Sequence, residues 1–151
     1  MAIYYADGSH SGEGRIIRTL EYKTNNRIET SSNSFQNSNL TGTITPKSAS
    51  NHILIEISGD CNTNDNTNSM FLTIMRGSTN LGNGDSGLIN HYNSDRLHSS
   101  INMAVIDDSH NTTSQLTYRV AIRKAQGYGN VEFPVNNNAH YAYMRITEIA
   151  H

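Results

Sequence analysis

Apolar and polar positions alternate in short runs along most of the chain, with a period of two rather than 3.6. Over 52–58, Ile53, Ile55 and Ile57 fall on one side and Leu54, Glu56 and Ser58 on the other. Over 70–76, Met70, Leu72 and Ile74 oppose Phe71, Thr73 and Met75. Both sides are apolar there, which predicts a strand covered twice, by the core and by a neighbouring subunit. Over 116–123, Leu116, Tyr118, Val120 and Ile122 alternate with Thr117, Arg119, Ala121 and Arg123, a half-buried strand with a polar face. The run 141–149 sets Met144 and Ile146 against Tyr143, Arg145 and Thr147 and predicts a strand paired within the sheet. Weaker alternation at 15–23, 27–32, 39–45, 100–106 and 128–134 brings the total to eight or nine strands. Helical periodicity is nowhere sustained beyond roughly eight residues. The expected fold is therefore all-β, a single antiparallel β-sandwich, and not an α/β plan.

Composition sharpens this reading. Asn, Ser and Thr number 20, 17 and 14 in 151 residues. Their short polar side chains compete for backbone hydrogen bonds, which disfavours helix and favours turns. The apolar fraction is 35 %, so one domain of this length has a thin core, and packing against partner subunits is expected to supplement it. Net charge is −2 with 11 basic residues, which offers no electrostatic footprint for nucleic acid. No apolar run approaches the roughly 18–20 residues that span a bilayer, and the first nine residues lack the basic start and apolar stretch of a signal peptide. We therefore expect a chain made in the cytosol without membrane insertion. A lone Cys61 cannot form an internal disulfide.

Turn-rich stretches at 59–69, 82–97, 107–114 and 135–140 separate the runs and are the natural places for surface function. Residues 1–14, with Gly8, Gly12 and Gly14, read as an extended arm that either docks on another chain or stays a mobile terminus. The domain proper is expected over 15–151.

Candidate chemistry is sparse. Asp60, Asn62 and Asn64 match the first ligand positions of a calcium loop, but Asp65 stands where Gly is required and Phe71 where a bidentate Glu is needed. Gly84-Asp85-Ser86-Gly87 resembles the sequence around a serine-protease nucleophile, yet no histidine motif accompanies it, and it reads as a turn. His10, His52, His91, His98, His110, His140 and His151 include no pair at i, i+2 or i, i+4, so no metal site is expected within one chain. Asp107 and Asp108 are adjacent and would face opposite ways on a strand. Glu21, Glu56, Glu132 and Glu148 lie mid-strand and could meet only through the fold. Neither a cofactor fingerprint nor a nucleophile elbow is present, and the expectation is a protein without catalysis or cofactor. Eight Tyr and no Trp leave Tyr92, Tyr128, Tyr141 and Tyr143, all near predicted loops, as candidate contacts to protein or sugar.

Several motifs recur in a fixed order. Ile44-Thr45-Pro46 precedes Ser48, Ser50 and His52-Ile53-Leu54-Ile55. Met75-Arg76-Gly77-Ser78-Thr79 precedes Leu81-Gly82, and Asp107-Asp108 precedes Ser114 to Arg119. The close is Met144-Arg145-Ile146-Thr147-Glu148-Ile149-Ala150. Over about residues 14–150 this resembles a family of fibre-type jelly-roll domains of marine tailed phages that infect cyanobacteria. The chain departs from it after Asp108, where Ser109 and His110 replace the family's Pro, and at its Arg-Ile-Thr-Glu-Ile-Ala close. The resemblance implies a homotrimeric jelly-roll domain on a phage fibre or capsid surface. Its implied function is host attachment or capsid decoration, with the N-terminal arm contacting other virion proteins and a host surface glycan as a further partner. With so short an arm, a fibre tip, knob or decoration protein is expected, located in the virion.

Overall fold

The computed structural model describes residues 14–63, 69–92, 97–126, 129–135 and 140–151. Its strands are β1 (Ile16–Thr24), β2 (Ile28–Thr30), β3 (Gln36–Ile44), β4 (His52–Thr63), β5 (Ser69–Arg76), β6 (Thr79–Asn80), β7 (Ile89–Tyr92), β8 (Leu97–Asp107), β9 (Leu116–Gln126), β10 (Val131–Phe133) and β11 (Ala142–Ile149). They form two antiparallel sheets, so the all-β sandwich expected from alternation is the fold.

These strands occupy eight lanes. β11 pairs with the first half of β4 and β10 with its last residues, while β1 and β2 pair with β11 and β10 respectively. Each pair is one lane interrupted by a loop. Along the other flank of β4, β8 pairs without a break from Ile53↔Asp107 to Thr63↔Leu97. The first sheet is thus ordered β1/β2, β11/β10, β4, β8, and the second β3, β9, β5, β6/β7. Apart from β5 and the following β6/β7, which share the second sheet, consecutive lanes alternate between sheets, which is the jelly-roll connection.

Inward positions carry the alternating residues. Ile53, Ile55 and Ile57 of β4, beside Met144 and Ile146 of β11 in the same sheet, face Leu72 and Ile74 of β5 and Val120 and Ile122 of β9, all buried in one cluster. Burial of each such side chain is worth about 2 kcal/mol. The sheets approach closely where Gly42 of β3 faces the core. A Cβ there would stand 2.7 Å from atoms of Tyr22, Met144 and Ile146, and the space it leaves lets the Tyr22 hydroxyl cross to donate to the Thr43 carbonyl at 2.5 Å.

Three expectations need correction. The stretch 59–69 is not a loop from its start, because β4 continues to Thr63. Its Gly-Asp-Cys-Asn-Thr composition favours turns, but β8 and β10 pair with it on both sides, and Gly59 admits the Ala142 side chain. The stretch 82–97 holds β7. Finally, the second apolar side of β5 is covered by the chain itself. Arg123 lies 4.6 Å over the Phe71 ring and 5.5 Å from Phe35, held by the carbonyls of Asp85 and Asn33. Thr73 is fully buried beneath the 81–88 segment, bonded to Asn80. The patterning of β5 therefore requires no neighbouring subunit.

The connections divide between two ends. Residues 45–51, 77–78 and 108–115 turn at the terminal end, where Gly14 and Arg15 pair with Ala150. At the opposite, distal end lie residues 31–35, between β2 and β3, together with the last residues of β4 and the first of β5.

Candidate functional site

The outward side of the first sheet gathers side chains that are far apart in sequence. Register places Glu21, Arg145, Glu56 and Ala104 in one row across β1, β11, β4 and β8. The next row toward the distal end holds Lys23, Tyr143, Ser58 and Asn102. The row toward the terminal end is Thr19, Thr147, Leu54 and Ile106. A groove of about 460 Å³ lies over the first two rows, walled by Tyr143 and Arg145 and floored beside Glu56, Ser58 and Ala104. The short side chains of Ser58 and Ala104 leave the depression.

Arg145 reaches to Glu21, 3.1 Å away, in a pair whose side chains are 55 % and 70 % exposed. Such a pair contributes little to stability. It leaves the neighbouring Glu56 carboxylate with no hydrogen-bond or ion-pair partner among the described residues. The Tyr143 ring is half exposed, 6.3 Å from the Tyr141 ring. Lys23 covers the Tyr141 ring at 5.1 Å, so of the two it is Tyr143 that offers its ring to the groove.

Of the tyrosines singled out in the sequence, Tyr141 and Tyr143 come together here. Tyr92 is exposed on β7 of the other sheet, and Tyr128 lies outside the described residues. Tyr143 lies on β11, in the run 141–149 that alternation marked as a strand. Glu56, Arg145 and Asn102 were not singled out as a group. Alternation puts each on the polar side of its strand, but which strands are neighbours is not written locally.

Other sequence candidates resolve into structure. Asp60 and Asn62 belong to β4, Asp60 pairing with His140 at 2.7 Å and accepting from Ser100 at 2.9 Å. Asn64 and Asp65 lie outside the described residues, and among the described residues no three His, Cys, Asp or Glu are grouped to hold a metal. Residues Gly84–Ser86 form one 3-10 turn. The four mid-strand glutamates do not converge: Glu21 and Glu56 share the groove, Glu132 sits with Arg27 at 3.0 Å toward the distal end, and Glu148 points inward.

Besides Glu132 on β10, Glu148 and Asp107 are buried charges. Both pair with Ile53, one from each side, so they sit in one row at the terminal edge of the core. Burial alone would push both carboxyls up. For Asp107, hydrogen bonds from Tyr118 at 2.7 Å, Arg76 at 2.6 Å and the Ser109 amide at 3.2 Å outweigh burial and hold it below the ordinary value. For Glu148, Asn51 at 2.7 Å, the Lys47 amide at 2.5 Å and Arg18 at 2.9 Å do the same. The Tyr118 hydroxyl, buried and bonded to Asp107, is raised. His110 ties the 108–115 connection to the 45–51 connection, its Nε2 lying 2.7 Å from the Asn51 carbonyl. Cys61 is buried, and desolvation, with the Asp60 charge, pushes its thiol up to about 12, which makes it a poor nucleophile.

By fold and surface the chain is a jelly-roll β-sandwich with an open polar groove on one sheet. It is similar to a chain in the structure of infectious bursal disease virus, Gx strain, at 11 % identity and a TM-score of 0.44; the likeness covers 97 % of this chain and 37 % of the viral one. It is also similar to the CBM36-1 domain of a multidomain xylanase from the hindgut metagenome of Trinervitermes trinervoides, at 11 % identity and a TM-score of 0.27, covering 89 % of this chain and 98 % of that domain. At these scores neither likeness bears on function. No family model and no curated protein matches the chain.

Proposed function

We propose that this chain is a structural protein of a tailed-phage virion surface, a small fibre-tip or knob-type protein for host attachment, working without catalysis. The motif order from Ile44 to Ala150 supports the virion assignment, and the jelly-roll lane order agrees with it. Attachment rests on one observation: the open groove beside half-exposed Tyr143, with the Glu56 carboxylate unpartnered within it. A capsid decoration protein with no ligand of its own needs no such surface. In this reading the arm of residues 1–14, which apart from Gly14 lies outside the described residues, contacts other virion proteins and the protein assembles as a homotrimer. With β5 covered, Ile16 and Ile106 are the exposed aliphatic side chains among the described residues that could serve subunit contact.

A glycan-cleaving enzyme is the weaker reading. Glu21 and Glu56 do share a groove, two strands or about 10 Å apart. However, Glu21 is tied to the Arg145 guanidinium at 3.1 Å with its side chain 70 % exposed, whereas the two carboxyls of a glycosidase flank the scissile bond.

Fluorescently labelled protein, offered in parallel to susceptible cells and to capsids lacking it, tests the proposal. Saturable binding to cells, competed by surface polysaccharide, is the expected result. Binding to capsids alone would make it a decoration protein, and binding to neither would remove the virion reading.

A further inference from the structure

We infer that the groove on the first sheet binds a neutral oligosaccharide, stacked on the Tyr143 ring and hydrogen-bonded through adjacent hydroxyls to Glu56 and Arg145. The inference rests on the attachment reading only for the source of the glycan.

The lining selects the ligand class. A half-exposed Tyr ring beside a polar floor suits a molecule with an apolar ring face and a hydroxylated edge, and the ring is amphipathic in the same sense. The Glu56 carboxylate can accept from two hydroxyls at once, and charge-assisted bonds of this kind are the strong ones. The Arg145 guanidinium, already fixed on one side by Glu21 at 3.1 Å, keeps N–H groups to donate to the same hydroxyls. Ser58 and Asn102, in the Tyr143 row, add short polar groups at the far wall. Charge selects neutrality: Glu21 and Glu56 are balanced by Arg145 and Lys23 on neighbouring positions. A polyanionic glycan would meet Glu56, and a cationic one Arg145. Four strands span about 14 Å, and a volume near 460 Å³ falls in the range of small-molecule sites, which fits a short oligosaccharide rather than a single ring.

The test is a microarray of neutral and acidic oligosaccharides probed with the full chain, followed by calorimetric titration of the strongest neutral binder. Neutral glycans with adjacent hydroxyls are expected to bind. Tyr143→Ala should weaken binding about tenfold or more, as loss of a stacking surface does, and Tyr143→Phe should retain it. Glu56→Gln should weaken it several-fold. Tyr92→Ala, exposed on the other sheet, should bind as wild type, and thermal midpoints should be unchanged throughout because all these side chains are on the surface. Capture of acidic glycans only, of no glycan, or equal binding by Tyr143→Ala and Glu56→Gln would overturn the inference. Wild-type cell binding by those two variants would leave attachment standing and remove this site. Tyr143-dependent glycan capture by a protein that binds neither cells nor capsids would keep the site and remove the virion reading.

Discussion

The two ends of the sandwich handle charge in opposite ways. At the terminal end two carboxylates, Asp107 and Glu148, are fully buried on either side of Ile53, and each accepts hydrogen bonds from neighbouring strands and from the connections around it. Toward the distal end the pairs are more open: His140 faces Asp60 at 43 % and 25 % exposure and Arg27 faces Glu29 at 36 % and 33 %, while the one buried carboxylate described there, Glu132, is met by the same half-exposed Arg27. A buried, fully bonded carboxylate dictates the path of every segment that donates to it, because a lost donor leaves charge in a poorly solvated place. An exposed pair dictates almost nothing. The terminal end is thus held in one arrangement by two buried carboxylates, while the exposed pair of Asp60 and His140 constrains its surroundings little.

The largest effect that would break this contrast is at Asp107. Asp107→Ala leaves the Arg76 guanidinium and the buried Tyr118 hydroxyl without their acceptor, and is expected to cost about 3 kcal/mol in urea unfolding. Glu148→Gln keeps the shape and some hydrogen bonds but removes the charge that Arg18 faces, so about 2 kcal/mol is expected. The two sites are two strands apart, about 10 Å, and share no donor. Their costs should therefore add in the double variant. A loss under about 0.5 kcal/mol at either would mean that the terminal end is not what holds the fold.

Acid should act through the same pair. Both carboxyls are held below their ordinary values of 3.8 and 4.5 in the folded chain. Their contribution is therefore complete above those values and is lost as pH falls through the lowered ones. Unfolding midpoints measured from pH 7 downward should hold steady to about pH 5 and drop below about pH 4. Asp107→Asn and Glu148→Gln should start lower and fall less steeply. A wild-type profile that is flat to pH 2.5 would contradict the assignment.

How much of this was legible in sequence depends on whether the cause is local. Alternation found β5, β9 and β11 because inward residues on a strand repeat every second position whatever the partner. It also carried an unused signal for the terminal end. Glu148 shares the parity of Met144 and Ile146, and Asp107 that of Ile101 and Met103, so both carboxylates were marked as inward-facing. The last residues of β4 were missed because turn composition competed with pairing that only β8 and β10 reveal. The same limit hid the groove. Glu21, Glu56, Asn102 and Arg145 become neighbours through lane order alone, and two of the four lanes involved are themselves split, β1 from β2 and β10 from β11. For β5, two apolar sides suggested a subunit contact, where Arg123 and the 81–88 segment provide the cover.

The smallest prediction sharpens the contrast from the other side. His140→Ala removes the imidazole that Asp60 faces at 2.7 Å, but Asp60 keeps the Ser100 hydroxyl and its access to water. Exposed pairs of this kind are worth from nothing to about 1 kcal/mol, and a change within about 0.5 kcal/mol is expected in urea unfolding. Because Cys61 beside it is unreactive mainly through burial, its rate of labelling by a thiol reagent in the native state should also stay at the wild-type level. A cost near that of Asp107→Ala, or rapid labelling of Cys61, would show that the distal pair closes the core as the terminal carboxylates do. The two ends would then differ in exposure without differing in consequence.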